Sequence, residues 1–170
     1  MSDVLTLSDL DNDRGMALSE RVSVLAVARS ALRQVEAEVE ARKVHAFLGT
    51  AEDAYVKAPK FALERTILNL LQNAIKYNRD KGEVRLDVRH HGDSSVQISV
   101  HDTGIGISQD ELSRIFERFY RVDKARSRET GGTGLGLSIV KNATERMGGY
   151  VTIESELGKG SVFTLVLPAA

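Results

Sequence analysis

From Leu25 the apolar positions Leu25, Ala28, Leu32, Val35 and Val39 recur every three or four residues, which predicts one long amphipathic helix with Ser23 as its cap. The segments "KVHAFLG" and "DAYVKA" are short enough to be strands, and Pro59 suits the first turn of a second helix because its missing N–H is not needed there. That helix runs to about Tyr77, with Leu63, Ile67, Leu70, Leu71, Ala74 and Tyr77 on one arc. The period then changes to two. "EVRLDVRH" and "SVQISVHD" alternate around the turn "HGDS", so a hairpin is expected with Val84, Leu86, Val88, Val96, Ile98 and Val100 on its buried face. Residues 103–134 break every period and are too long for a plain connection; loops of that kind act as lids or binding loops. A third helix over Leu135–Met147 stops at Gly148 and Gly149, and "YVTIES" and "SVFTLVL" around "ELGKG" form a second hairpin.

At 170 residues with 42% hydrophobic content the chain can bury one good core, so a single domain over residues 21–170 is expected, preceded by a frayed leader at 1–20. A formal net charge of -1 supplies no global field for a phosphate backbone, and no nucleic acid partner is expected. The absence of cysteine excludes a disulfide framework and thiolate metal sites and accords with a cytoplasmic, reducing setting. No apolar run approaches the roughly 18 residues needed to cross a bilayer, and the N-terminus lacks the pattern of a signal peptide.

Three stretches carry candidate chemistry. "GGTGLGLSIV", Gly131 to Val140, fits neither the dinucleotide fingerprint nor the P-loop. Its glycines nevertheless precede a helix whose first N–H groups lack internal partners, which makes an anion site. A flexible hinge or a tight packing corner explains the same residues. In "HDTGIGIS", Asp102 continues the alternation of Val96, Ile98 and Val100 toward the core, where a carboxylate is costly unless something donates to it. With Gly104 and Gly106 opening space beside it, an adenine amino group is a candidate partner; an Asx turn ending a strand is the competing reading. On the second helix Asn69, Asn73 and Lys76 form a strip beside the apolar arc, although asparagine is a poor helix former. Their amide oxygens could complete a Mg²⁺ shell of phosphate and water, or could bond a neighbouring loop.

In order and spacing, "NLLQNAIKY", "DTGIG", "FERFYR" and "GGTGLGLSIVK" resemble the N, G1, F and G2 boxes of the catalytic and ATP-binding domain of sensor histidine kinases. The likeness spans roughly residues 20–168 and is nearest to the phosphate-regulation and cell-wall sensor kinase branch. It implies the Bergerat fold: an α/β sandwich in which a mixed sheet of about five strands packs against three helices, with an ATP lid at about 107–133. It further implies that Asp102 accepts from adenine and that Gly104, Gly106 and Ile107 shape the base pocket. Asn73 and Asn69 would bind Mg²⁺, and Lys76 and Tyr77 would line the phosphate and sugar side. Arg121 would approach the γ-phosphate, and Thr133, Gly134, Leu135 and Gly136 would offer backbone contacts to the phosphates.

Kinases of this type phosphorylate a histidine on a separate dimerisation and phosphoacceptor hairpin, followed by an acidic residue. His45, His90, His91 and His101 lack that context and read as surface or packing residues. The leader "VLTLSDLD" resembles the last turn of such a hairpin, so the expectation is a piece of a longer protein, monomeric in isolation, whose partners are that hairpin and a response regulator. Rival readings are an ATPase of the same superfamily, which would carry a water-activating Glu where this chain has Asn69, a serine kinase, and a nucleotide-sensing module without transfer activity.

Overall fold

The computed structural model describes residues 19–117 and 136–170. Chain order is β1 (Glu20–Ser23), α1 (Val24–Gln34), α2 (Glu36–Arg42), β2 (His45–Ala51), β3 (Tyr55–Ala58), α3 (Lys60–Lys76), β4 (Glu83–His91) and β5 (Ser95–Asp102). A short α4 (Gln109–Leu112), α5 (Gly136–Arg146), β6 (Tyr150–Glu156) and β7 (Gly160–Pro168) follow. Five strands form one sheet in the order β2-β4-β5-β7-β6, and β1 pairs with β3 in a separate two-stranded ribbon. Within the large sheet β2 runs parallel to β4 and the other neighbours are antiparallel, so the sheet is mixed as expected.

One face of the sheet carries the helices, because alternation sends Val84, Leu86, Val88, Val96, Ile98, Val100, Leu165 and Leu167 to the same side, and all are buried. Against them lies α3, flanked by α1 and α5. Its central place explains why it is apolar over most of its circumference: Leu63, Ile67, Leu70, Leu71 and Ile75 are almost fully buried, each contributing about 1.5–3 kcal/mol. Tyr77 stays half-buried at the end of the helix, outside the closed arc.

The predicted first helix is two helices. Val35, at φ -101° and ψ 5°, leaves helical backbone and separates α1 from α2, while Lys43 at φ 56° ends the second. Ser23 caps α1 as expected, accepting from Ala26 N–H at 3.2 Å. The face turned to the core is Val24, Val27, Ala28 and Ala31, with Leu25 and Leu32 only partly buried at its margin. Two of these four buried residues are alanines, which a search for large apolar residues overlooks. Pro59 is the N-cap of α3 and not its first residue, its carbonyl accepting from Leu63 N–H at 3.1 Å. The third helix ends as expected: Gly148, at φ 88°, and Gly149 donate to Glu145 and Thr144 carbonyls.

The β1–β3 ribbon was not expected. Arg21 stacks its guanidinium 3.8 Å above the Tyr55 ring. Val56 also bridges Ala169, so the ribbon holds the end of β7.

Candidate functional site

Asp102 is the last residue of the central strand β5, opposite Val84 of β4 and Ser161 of β7. Its Oδ1 accepts from Gly104 N–H at 2.9 Å, so the Asx turn is present. That turn does not outweigh the loss of water around the carboxylate. Burial pushes the Asp102 pKa up from 3.8 to about 6, and the Gly104 and Ser161 backbone donors offset this only in part. A carboxylate held in that state favours one more donor.

The two glycines after it are demanded by close approach. A Cβ on Gly104 would strike the Tyr77 carbonyl oxygen, and one on Gly106 would strike the Glu156 carbonyl oxygen. Gly106 also sits at φ 71°, the left-handed region that suits glycine. Between them Ile105 N–H donates to the Tyr77 carbonyl at 3.1 Å. Ile107 N–H donates to Ser155 Oγ at 2.7 Å, tying the loop to β6. The Asp102–Ile107 loop is thus wedged between the C-terminal end of α3 and the β6–β7 hairpin.

On α3, Asn69 is buried and its Nδ2 has no hydrogen-bond partner among the described residues. An unpaired buried amide N–H costs about 1–3 kcal/mol, which marks this position as one where a further acceptor would be favourable. One turn on, Asn73, Lys76 and Tyr77 are half-buried, and the Tyr77 carbonyl touches the Gly104 loop. The structure therefore joins the helix strip and the Asp102 loop through Tyr77.

Sequence reasoning missed the residues that hold this junction. Asn78, fully buried, donates through Nδ2 to the Glu83 carbonyl at 2.9 Å; its Oδ1 accepts from Arg79 N–H at 2.9 Å and from Thr103 Oγ1 at 3.2 Å. Thr103 Oγ1 in turn accepts from Glu83 N–H at 2.8 Å. From α2, Arg42 Nη2 reaches the Lys76 and Asn78 carbonyls, both at 3.0 Å, and caps the end of α3. One signal was available: Asn78 stands four residues after Ala74 and three after Ile75, so a polar amide occupies a position of the buried arc.

Gly136 is the first residue of α5, and α5 packs on α3, the helix that carries the strip. Arg121, Thr133, Gly134 and Leu135 lie outside the described residues, as do Phe119 and Tyr120. Of the stretch expected to form a lid, the described part contains α4, with Ile115 buried and Phe116 partly buried against the core. The histidines are as expected. His45, His90 and His91 are exposed, and His101 lies on the helix-free face with Nε2 3.1 Å from Asp87 Oδ2. Burial, and after it the charge of Arg85, lower the His101 pKa despite that carboxylate.

A desolvated carboxylate, a loop that tolerates no Cβ, and a buried amide N–H without a partner among the described residues together fit a nucleotide site. Among the described residues no helix is long and apolar enough to cross a membrane. Residues 59–170 match the family described as histidine kinase-, DNA gyrase B-, and HSP90-like ATPase. The sensor histidine kinase RppB of a Synechocystis strain is 47% identical over 116 residues, 68% of this chain and 25% of that protein. The phosphate regulon sensor protein PhoR of Pseudomonas aeruginosa is 38% identical over 165 residues, 96% of this chain and 37% of that protein. The chain therefore spans between a quarter and two fifths of these relatives. Among solved structures, full-length ShkA in complex with AMPPNP superposes with a TM-score of 0.77 at 29% identity, covering 89% of this chain and 31% of that one. With its mixed sheet, its helix layer and a family match over most of its length, the chain belongs to the histidine kinase-, DNA gyrase B- and HSP90-like ATPase family, among the domains of sensor histidine kinases.

Proposed function

We propose that this chain binds Mg²⁺-ATP and serves as the catalytic domain of a cytoplasmic phosphorelay, delivering the γ-phosphoryl group to a histidine on a separate dimerisation and phosphoacceptor domain. The observation that carries the reading is the Asp102 carboxylate, set at the end of the central strand with a raised pKa, beside a glycine loop fixed against the Tyr77 and Glu156 carbonyls. Asp102 accepts from the adenine amino group, and Gly104, Gly106 and Ile107 form the base pocket. Tyr77 and Lys76 line the sugar and phosphate side. Asn73 and Asn69 would hold Mg²⁺, which when bound neutralises charge on the phosphates. Arg121 and the backbone of Thr133, Gly134, Leu135 and Gly136 belong to the phosphate end. The ShkA complex with AMPPNP supports a nucleotide in this fold.

In the transfer, an acceptor imidazole nitrogen attacks the γ-phosphorus; the bond from that phosphorus to the β–γ bridging oxygen breaks, and ADP leaves with the electron pair. The residues of this chain contribute positioning and charge stabilisation, the principal protein contributions to phosphoryl transfer. Onward transfer to an aspartate of a response regulator completes the relay. The domain itself acts as a monomer.

The test mixes the chain with γ-labelled ATP, Mg²⁺ and a purified acceptor hairpin. Acid-labile phosphate on the hairpin histidine is the expected result. ATP binding without label would favour a nucleotide-sensing module, and no ATP binding would overturn the site.

A further inference from the structure

Arg79 has a part in this site that its exposed position conceals. Its Nη2 donates to the Gly104 carbonyl at 3.1 Å and to the Gly158 carbonyl at 2.6 Å. These acceptors belong to segments distant in sequence: the loop after Asp102, and the turn between β6 and β7. The same segments meet directly, since Gly158 N–H donates to the Ile105 carbonyl at 2.7 Å, and Gly106 lies against the Glu156 carbonyl. One guanidinium therefore closes a triangle whose corners are the end of α3, the glycine loop and the hairpin turn. Its backbone is anchored independently, through the N–H that donates to the buried Asn78.

We propose that Arg79 is a positioning residue for adenine: it staples the Gly104–Ile105 segment to the Gly158 turn and so holds the base-binding loop, and the Gly104 N–H on Asp102, in the geometry that selects ATP over GTP. This rests on the ATP-site reading given above. The selection follows from polarity. Adenine presents an amino donor to the Asp102 carboxylate, whereas guanine presents a carbonyl oxygen at the corresponding ring position. A stiff loop enforces that mismatch, and a loose one lets the backbone shift to relieve it. A guanidinium suits the task because the two N–H bonds of Nη2 are held in a fixed plane, one for each carbonyl, whereas the donors of an ammonium rotate freely and its charge is more strongly hydrated.

The test uses the 170-residue chain, with Arg79→Ala and Arg79→Lys variants. Calorimetric titration with Mg²⁺-ATP and Mg²⁺-GTP is paired with amide hydrogen exchange of the nucleotide-free protein. Charge-assisted bonds of this kind predict an ATP affinity about tenfold weaker in Arg79→Ala, with GTP changed far less, so that the ATP-to-GTP ratio falls by nearly the same factor. Arg79→Lys lies nearer to Arg79→Ala than to the parent. In Arg79→Ala the Ile105 and Gly158 amides exchange faster, while amides in the middle of β5 keep their protection. A parent-like ratio together with parent-like exchange at Ile105 and Gly158 overturns the assignment, even if the melting temperature drops. A parent chain that binds no nucleotide overturns the site reading, and the selection role with it; the exchange experiment then reports on the staple alone.

Discussion

Replacing Asp102 by asparagine should change stability and nucleotide affinity in opposite directions. Burial raises the folded-state pKa of Asp102 from 3.8 to about 6, so between those values the folded protein holds a proton that the unfolded chain has released. Stability attributable to this group is complete below pH 3.8, declines as pH rises through the window, and stays at its lower level above about pH 6. At 1.4 kcal/mol per pH unit, the decline is roughly 3 kcal/mol. Asp102→Asn removes the ionisation, while its amide oxygen can still accept from Gly104 N–H. The nucleotide-free variant should therefore gain about 1–3 kcal/mol at pH 7, or roughly 3–8 °C in melting temperature for a chain of this size. That gain should vanish as the pH is lowered toward 4. ATP affinity should fall about 10–100-fold, because the adenine amino group loses an ionised acceptor and can meet the new NH₂. Thermal unfolding at pH 4, 5, 6 and 7, with calorimetric ATP titration at pH 7, reads both effects. A variant no more stable than the parent at pH 7 would refute the burial argument, and an unchanged ATP affinity would refute the adenine contact.

Gly106→Ala combines a left-handed backbone position with a collision against the Glu156 carbonyl, and should cost about 2 kcal/mol or more in urea unfolding together with measurable loss of ATP binding. Asn78→Ala leaves the Glu83 carbonyl and the Arg79 N–H without their buried partner; a loss of about 1–3 kcal/mol is expected in the same assay, and a neutral result would show that water replaces the amide. Asn69→Leu removes an unpaired buried amide, so the nucleotide-free protein should be within about 1 kcal/mol of the parent or more stable. Mg²⁺-ATP binding by that variant should be lost; if binding survives, Asn69 has no role at the metal.

Periodicity is a property of neighbouring residues, so it was legible in the chain before any fold existed. The alternation of Val84 to Val88 and of Val96 to Val100, the apolar arc of α3 from Leu63 to Ala74, the glycine stop of α5 and the helix cap at Ser23 all appear where the pattern puts them. Candidate chemistry was legible for a related reason: a carboxylate at an apolar position, as at Asp102, or two poor helix formers beside a helix's apolar arc, as at Asn69 and Asn73, is an anomaly visible without coordinates. What depends on partners remote in sequence was not. Nothing local says that Glu20–Ser23 would pair with Tyr55–Ala58, that β2 would run parallel to β4, or that small Ala28 and Ala31 would be the contact face of α1. Nor does "KYNRD" disclose that Asn78 would join α3 to β4 and Thr103, or that Arg79 would reach the Gly104 and Gly158 carbonyls. Local pattern is enough to mark the anomalous residues and to place α3, α5 and the two hairpins, because period and turn residues are properties of chain neighbours. Only the tertiary structure decided how Asp102 is desolvated and which groups brace it, because burial and hydrogen-bond partners are set by segments that meet only when the chain has folded.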